Sequence, residues 1–225
     1  MLGARPPTLV GIDEAGRGAW IGPLVVGAVA VPREASAGVA ATGARDSKTL
    51  SPVRREEVLA RLERCASLRA LEAEPAEIDR HVAGHRLNEL EARLFGRLAR
   101  EFAPAEARVD ACDANARRFG ASVAHHAGPH VVVLSRHRAD ALDPLVGAAS
   151  IVAKVRRDRA IRDLAAALGE EVGSGYPSDP VTVAFVRRYV RRADARPPWL
   201  RSSWATTRRV IGGPGPTRRL GAGRA

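Results

Sequence analysis

The chain has 225 residues, 45% of them apolar and 27% charged, which are the proportions of a folded globular protein with room for a buried core, so overall disorder is not expected. Lysine and arginine number 36 against 25 acids, a net charge of +11, which makes a polyanion the natural partner. The longest apolar stretch, residues 19–31, is broken by Gly22, Pro23 and Gly27 and follows Asp13 and Glu14, so neither a membrane span nor a signal peptide is predicted and a cytoplasmic protein is expected.

Two strands are predicted first, over "TLVGID" (8–13) and "PLVVGAVAV" (23–31), paired at the heart of a sheet. Between them Ala15-Gly16-Arg17-Gly18 reads as a turn that ends the first strand directly after its two acids. "SPVRREEVLARLERCA" (51–66) has Ser51 as N-cap and Pro52 in the first helical position, which predicts a helix. A strand over 67–73, an amphipathic helix over 87–102 and strands over 107–111 and 131–135 follow. Asp143-Pro144 opens a helix to about Leu168, and Asp179-Pro180 another to about Arg191. His125 and His126 are expected in a solvated loop. His81 and His85 have helical spacing, but "HVAGH" lacks the glutamate of a zinc-binding helix and contains Gly84.

This alternation predicts an α/β fold, with a sheet covered by helices over residues 1–171 and a smaller helical C-terminal part over 172–210. The Gly/Pro/Arg-rich end, 211–225, is expected to be a disordered basic tail. Charge follows the same division. Residues 187–225 hold eleven arginines and one acid, Asp194, so the attraction to nucleic acid is C-terminal. The chain has two lysines, Lys48 and Lys154, which hints at sites wanting a compact ammonium. Cys65 and Cys112 have no paired spacing, so no disulfide framework or zinc knuckle is predicted.

Acids that end apolar runs carry the chemistry. Asp13 with Glu14, Asp46, Asp110 with Asp113, and Asp140 with Asp143 lie at predicted strand ends or rims, where acids from several strands can converge. Converging carboxylates raise one another's pKa unless cations hold them, so such a cluster suits hard divalent metal such as Mg²⁺ or Mn²⁺. Two such ions can hold the attacking and leaving oxygens of a phosphodiester in line. Asp143 and Asp179 are better read as helix caps and Asp113 as a turn residue, which leaves Asp110 as the stronger ligand candidate of its pair.

"GIDEAGRG" (11–18) resembles the opening signature of type 2 ribonucleases H, the ribonuclease HII family. The likeness continues in order through "RDSKTLSPVRREE" (45–57), "LNELEA" (87–92), "VDACDANARRFG" (109–120), "HRADALDPLVGAASIVAKVRRD" (137–158), "GSGYPSDP" (173–180) and "SSWATT" (202–207). It implies a ribonuclease H-like mixed sheet flanked by helices, with Asp13, Glu14, Asp110 and Asp140 as the metal-binding catalytic set. It further implies that Gly16, Arg17 and Gly18 read a ribose 2′-hydroxyl, that Lys48 and Lys154 contact phosphate, and that Tyr176 stacks on the sugar beyond the scissile phosphate.

The implied activity is metal-dependent hydrolysis of RNA in RNA/DNA hybrids and nicking of DNA duplexes 5′ of embedded ribonucleotides. It leaves a 5′-phosphate and a 3′-hydroxyl and needs two ions of Mg²⁺ or Mn²⁺, with a monomeric protein expected. The chain departs from the family pattern at Ala19-Trp20-Ile21 and at Arg138. The rival readings are a catalytically silent hybrid-binding protein and a DNA nuclease, resolvase-like or transposase-like, of the same broad fold.

Overall fold

A computed structural model describes residues 8–44, 47–190, 197–204 and 207–208. Five strands form one mixed sheet: β1 (Thr8–Ala15), β2 (Leu24–Pro32), β3 (Ser67–Ala73), β4 (Glu106–Asp110) and β5 (Val132–Arg136), in the order β3-β2-β1-β4-β5. The first three pair antiparallel as a meander, and β4 and β5 continue parallel to β1. The helices are α1 (Ser36–Ala41), α2 (Pro52–Leu62), α3 (Pro75–Ala83), α4 (Leu87–Phe102), α5 (Ala116–Ala127), α6 (Ala139–Leu142), α7 (Pro144–Leu168) and α8 (Pro180–Val190).

Helices cover both sheet faces. On one, Val10, Ile12, Val26 and Val109 pack with Leu90, Phe95 and Leu98 of α4 and Phe119 and Val123 of α5. On the other, Leu9, Val29 and Val31 pack with Val58 and Leu62 of α2 and Leu145, Ile151 and Val152 of α7. The alternation of Leu9 with Val10 is the two-residue period of a strand buried on both faces.

Helix α7 lies directly on the strands. A side chain at Gly11 would sit 2.3 Å from the Leu145 carbonyl oxygen, and one at Gly27 would sit 2.6 Å from the oxygen of Ala149. No Cβ fits there, so the two glycines let a helix rich in small residues seat against the sheet. Its capping follows the sequence reading: Asp143 Oδ1 accepts from Leu145 N at 2.9 Å, and Pro144 stands in the first turn.

A third cluster joins Trp20 and Ile21 to Ile161, Val172, Phe185, Trp199 and Leu200. The departure at residues 19–21 therefore has a physical use, because its apolar side chains tie the turn after β1 to the C-terminal segment. Within the helical part expected over 172–210, α8, of 11 residues, supplies helix, while residues 197–204 run irregularly. The expected tail, 211–225, lies outside the described residues.

Three local expectations are corrected. Strand β1 runs through Glu14 to Ala15 instead of ending at Asp13. His125 and His126 are on α5, not in a loop, because the turn at Asp113 leads into a helix capped by the Asn115 side chain, which accepts from Arg118 N. Helix α2 stops at Leu62, four residues short of the predicted end, and its backbone closes there in a C-terminal turn.

Candidate metal centre and nucleic-acid groove

The C-terminal ends of β1 and β4 lie side by side, with Ile12 opposite Val109. Period-two alternation then turns Asp13 and Asp110 toward the α7 face and Glu14 toward the α4 face. Asp140 reaches the same rim from α6, whose N-cap, Arg138, is in the left-handed region at φ 58°. That conformation bends the chain between β5 and α6. Asp13, Asp110 and Asp140 each bring an oxygen within 4.8 Å of the other two.

These acids are closely held. Asp13 is buried and its Oδ1 accepts from Glu14 N at 2.7 Å, while Asp110 Oδ1 accepts from Ala139 N at 2.7 Å. Asp140, also buried, is 3.3 Å from Lys48 Nζ. Burial pushes Asp13 well above the ordinary carboxylate range, and the neighbouring charges of Glu14 and Asp110 push it further. Burial likewise raises Asp110, and it raises Glu14 against the opposing pull of Arg17 and Lys48. A buried set of hard oxygen donors that disfavour one another's charge fits a divalent cation, which removes the repulsion.

Glu14 stands apart from that trio. Its ligand atom groups with those of Glu91 and Cys112, and it nonetheless lines one cavity with Asp13 and Asp110. The cavity, of about 360 Å³, is also lined by Gly16, Arg17, Gly18, Ser47, Lys48, Ser150, Lys154 and Tyr176. All the substrate-contacting residues inferred from the sequence therefore face one space. Asp46 falls outside the described residues. Asp113 and Asp143 are occupied elsewhere, Asp113 by Arg118 and Asn115 N, and Asp143 by its cap and Arg108.

The turn after β1 needs its first glycine. Gly16 has φ 92°, and a Cβ there would meet the Pro23 carbonyl oxygen at 2.8 Å. Arg17 is anchored on both sides: its Nε donates to Glu91 Oε1 at 2.9 Å and its Nη2 to Asn88 Oδ1 at 2.5 Å. Its backbone N–H donates to Glu14 Oε2 at 3.3 Å, so one glutamate touches both the turn and the cavity.

Two buried arginines brace this region. Arg201, fully buried, donates through Nε to Gly22 O at 3.0 Å and through Nη1 to Gly16 O at 2.6 Å and Arg17 O at 3.1 Å. Arg157 lies with its guanidinium carbon 4.5 Å from the Tyr176 ring centroid and donates to the carbonyl of Ser174. Lys154 Nζ is 5.5 Å from the same ring and donates to Asp158 Oδ1 at 2.7 Å. Lys48 sits on the short turn Ser47–Thr49, which Arg55 holds by donating to Ser47 O at 3.0 Å and Leu50 O at 2.7 Å.

Sequence reasoning missed Glu91, Ser150, Arg157 and Arg201. Glu91 had a usable signal: it occupies the apolar face of α4 together with Leu87, Leu94 and Leu98, at helical spacing. An acid on such a face needs a partner, and Arg17 is that partner. Arg201 was hidden among the C-terminal arginines, where nothing local separates a buried guanidinium from a solvated one.

The ribonuclease HII family model matches residues 10–207. The ribonuclease HII of Methanocella arvoryzae is 43% identical over 212 residues, covering 94% of this chain and 95% of the relative. Among solved structures, ribonuclease H2 from Pyrococcus horikoshii superposes with a TM-score of 0.83 at 36% identity, covering 91% of this chain and 97% of the other. The ribonuclease HII of Archaeoglobus fulgidus, solved as a complex with PCNA, gives 0.78 at 34% identity, covering 86% and 92%.

Proposed function

The chain belongs to the ribonuclease HII family of metal-dependent endonucleases that hydrolyse RNA in RNA/DNA hybrids, and from that premise we propose how its own residues do so. Asp13, Glu14, Asp110 and Asp140 form the catalytic, metal-holding set. Gly16, Arg17 and Gly18 read the ribose, and Lys48, Lys154 and Tyr176 grip the strand. The observation that carries this reading is the convergence of three carboxylates within 4.8 Å beside a cavity that also holds the turn, both lysines and the tyrosine.

The division of labour follows from position. Asp13 and Asp110, on adjacent parallel strands, are fixed by the sheet and cannot spread apart as their charges repel. Asp140 closes the group from α6 and carries Lys48 with it. Two ions of Mg²⁺ or Mn²⁺ held there would activate water and stabilise the oxygens entering and leaving the phosphate. Gly18 is exposed, with open space where a side chain would stand, so a sugar can approach the turn's backbone closely. That contact suits a 2′-hydroxyl, the group that separates RNA from DNA.

Tyr176, backed by Arg157, offers a ring face for the sugar beyond the cut. In this reading residues 172–210 are a substrate-binding part that supplies Tyr176 and the brace Arg201. No helix among the described residues is long and apolar enough to cross a membrane.

The test is a DNA duplex containing one ribonucleotide, incubated with the protein and Mg²⁺ or Mn²⁺. A nick on the 5′ side of that nucleotide, leaving a 5′-phosphate, is the expected product. Binding without cleavage, or cutting of all-DNA duplex, would replace this reading with one of its rivals.

A further inference from the structure

A second set of metal-capable side chains borders the groove. Glu14, Glu91 and Cys112, from β1, α4 and the loop after β4, each bring a ligand atom within 4.8 Å of the other two. Glu91 is fully buried, and its two oxygens differ in their surroundings. Oε1 accepts from Arg17 Nε at 2.9 Å, whereas Oε2 has no hydrogen-bond partner among the described residues. A buried carboxylate oxygen is rarely left without a partner, because the lost hydration is not replaced. Glu14 and Cys112 are half-buried, which leaves an approach from solvent.

We propose that Glu14, Glu91 and Cys112 form a site for a thiophilic divalent cation, of which Zn²⁺ is the type, separate from the all-oxygen group of Asp13, Asp110 and Asp140. Zn²⁺ takes both thiolate sulfur and carboxylate oxygen as ligands, and solvent would be free to complete a tetrahedron. A thiolate selects against Mg²⁺, so the two groups sort different metals. Charge also balances. The three ligands in ionised form carry three negative charges, which the Arg17 guanidinium and one divalent cation neutralise together.

Because the proposed catalytic set also counts Glu14, which lines the same cavity as Asp13 and Asp110, an ion bound here withdraws it from that set and inhibits cleavage. This consequence rests on the function proposed above, whereas the binding itself does not.

Cys65, exposed, is the second thiol of the chain, so the experiment starts from the full chain carrying Cys65→Ser. Titration with Cd²⁺ should produce the ultraviolet cadmium–thiolate charge-transfer band with one ion per chain. Adding Cys112→Ala should abolish the band. Glu91→Gln should weaken binding at least about tenfold, and Asp110→Asn should leave the band intact. Absence of the band in Cys65→Ser, or its survival in Cys112→Ala, overturns the proposal; if Glu91→Gln does not fold, the Cys112 comparison decides alone.

In a parallel hybrid-cleavage assay, Zn²⁺ should inhibit the Cys65→Ser protein and spare the protein that also carries Cys112→Ala. Equal inhibition of both overturns the inhibitory role. A parent that binds Cd²⁺ but never cuts overturns the functional reading and leaves the metal site standing.

Discussion

Arg201 and Gly16 are 185 residues apart in sequence and are joined by a 2.6 Å hydrogen bond from a buried guanidinium to a backbone oxygen. The same guanidinium takes the carbonyls of Arg17 and Gly22. The C-terminal segment thereby fixes the turn that faces the cavity. Arg201→Met should remove three charge-assisted bonds and leave buried carbonyls unmatched, costing about 2–4 kcal/mol of stability. Urea unfolding checks the loss, and an unchanged midpoint would show that the turn holds its shape unaided.

Replacing Asp13 or Asp110 by asparagine should cut the hydrolysis rate on the order of 100-fold or more, because a ligand charge is lost where negative charge develops. Hybrid affinity should stay near the parent value. Rate and binding measured separately on one hybrid test both halves, and a variant with full activity would remove that residue from the catalytic set.

Burial pushes Glu91 up to about 8 from an ordinary 4.5, even with the Arg17 guanidinium beside it. A raised acid favours the folded state while protonated in it, so this contribution is present below about 4.5 and fades as pH rises through about 8. Thermal unfolding of metal-free protein across that window should therefore show stability falling with pH. Glu91→Gln, which keeps an acceptor for Arg17, should flatten the fall; an identical pH profile in the two proteins would contradict this account.

Asp13, Glu14 and Asp110 are raised as well, and their loading with metal requires their protons to leave. Added Mg²⁺ or Mn²⁺ should raise the melting temperature more at neutral than at acidic pH. Equal shifts at both would mean that the ion binds somewhere else.

Tyr176→Ala should harm cleavage at a single embedded ribonucleotide more than cleavage of a long hybrid, where many registers are productive. Comparing kcat/KM on the two substrates measures this, and equal losses would deny the tyrosine a role in reading the junction.

Ending the chain after residue 210 removes Arg218, Arg219 and Arg224. If all three meet phosphates, the slope of log affinity against log salt should fall by up to about 3, with catalysis preserved. A constant slope would make the tail a bystander in binding.

Elements with strong local signals were legible in the sequence. Pro52 and Pro144 behind capping side chains marked two helices, and the apolar runs marked the strands. Apart from Asp140, the site residues that the ordered motifs pointed to line one cavity. What the sequence hid was direction. Asp13 and Glu14 read as a pair, yet the continuation of β1 to Ala15 sends them to opposite faces, a matter settled by register with β2 and β4. Helix α5 was obscured because "DACDAN" reads as a turn, which it is, and the helix begins only at Ala116.

Burial of charge was equally invisible. Arg157 and Arg201 look like their solvated neighbours in sequence, and only the packing of α7 and the C-terminal segment against the turn distinguishes them.

The seating of α7 on Gly11 and Gly27 reaches beyond the core. That helix also carries Ser150 and Lys154 to the cavity wall, so a single methyl group added under it would lift the wall away from the acids on the neighbouring strands. The thickness of the hydrophobic layer is thus the gauge that sets the width of the cavity proposed to hold the substrate. A core redesigned for heat resistance would have to keep those two positions bare to keep the cavity's dimensions.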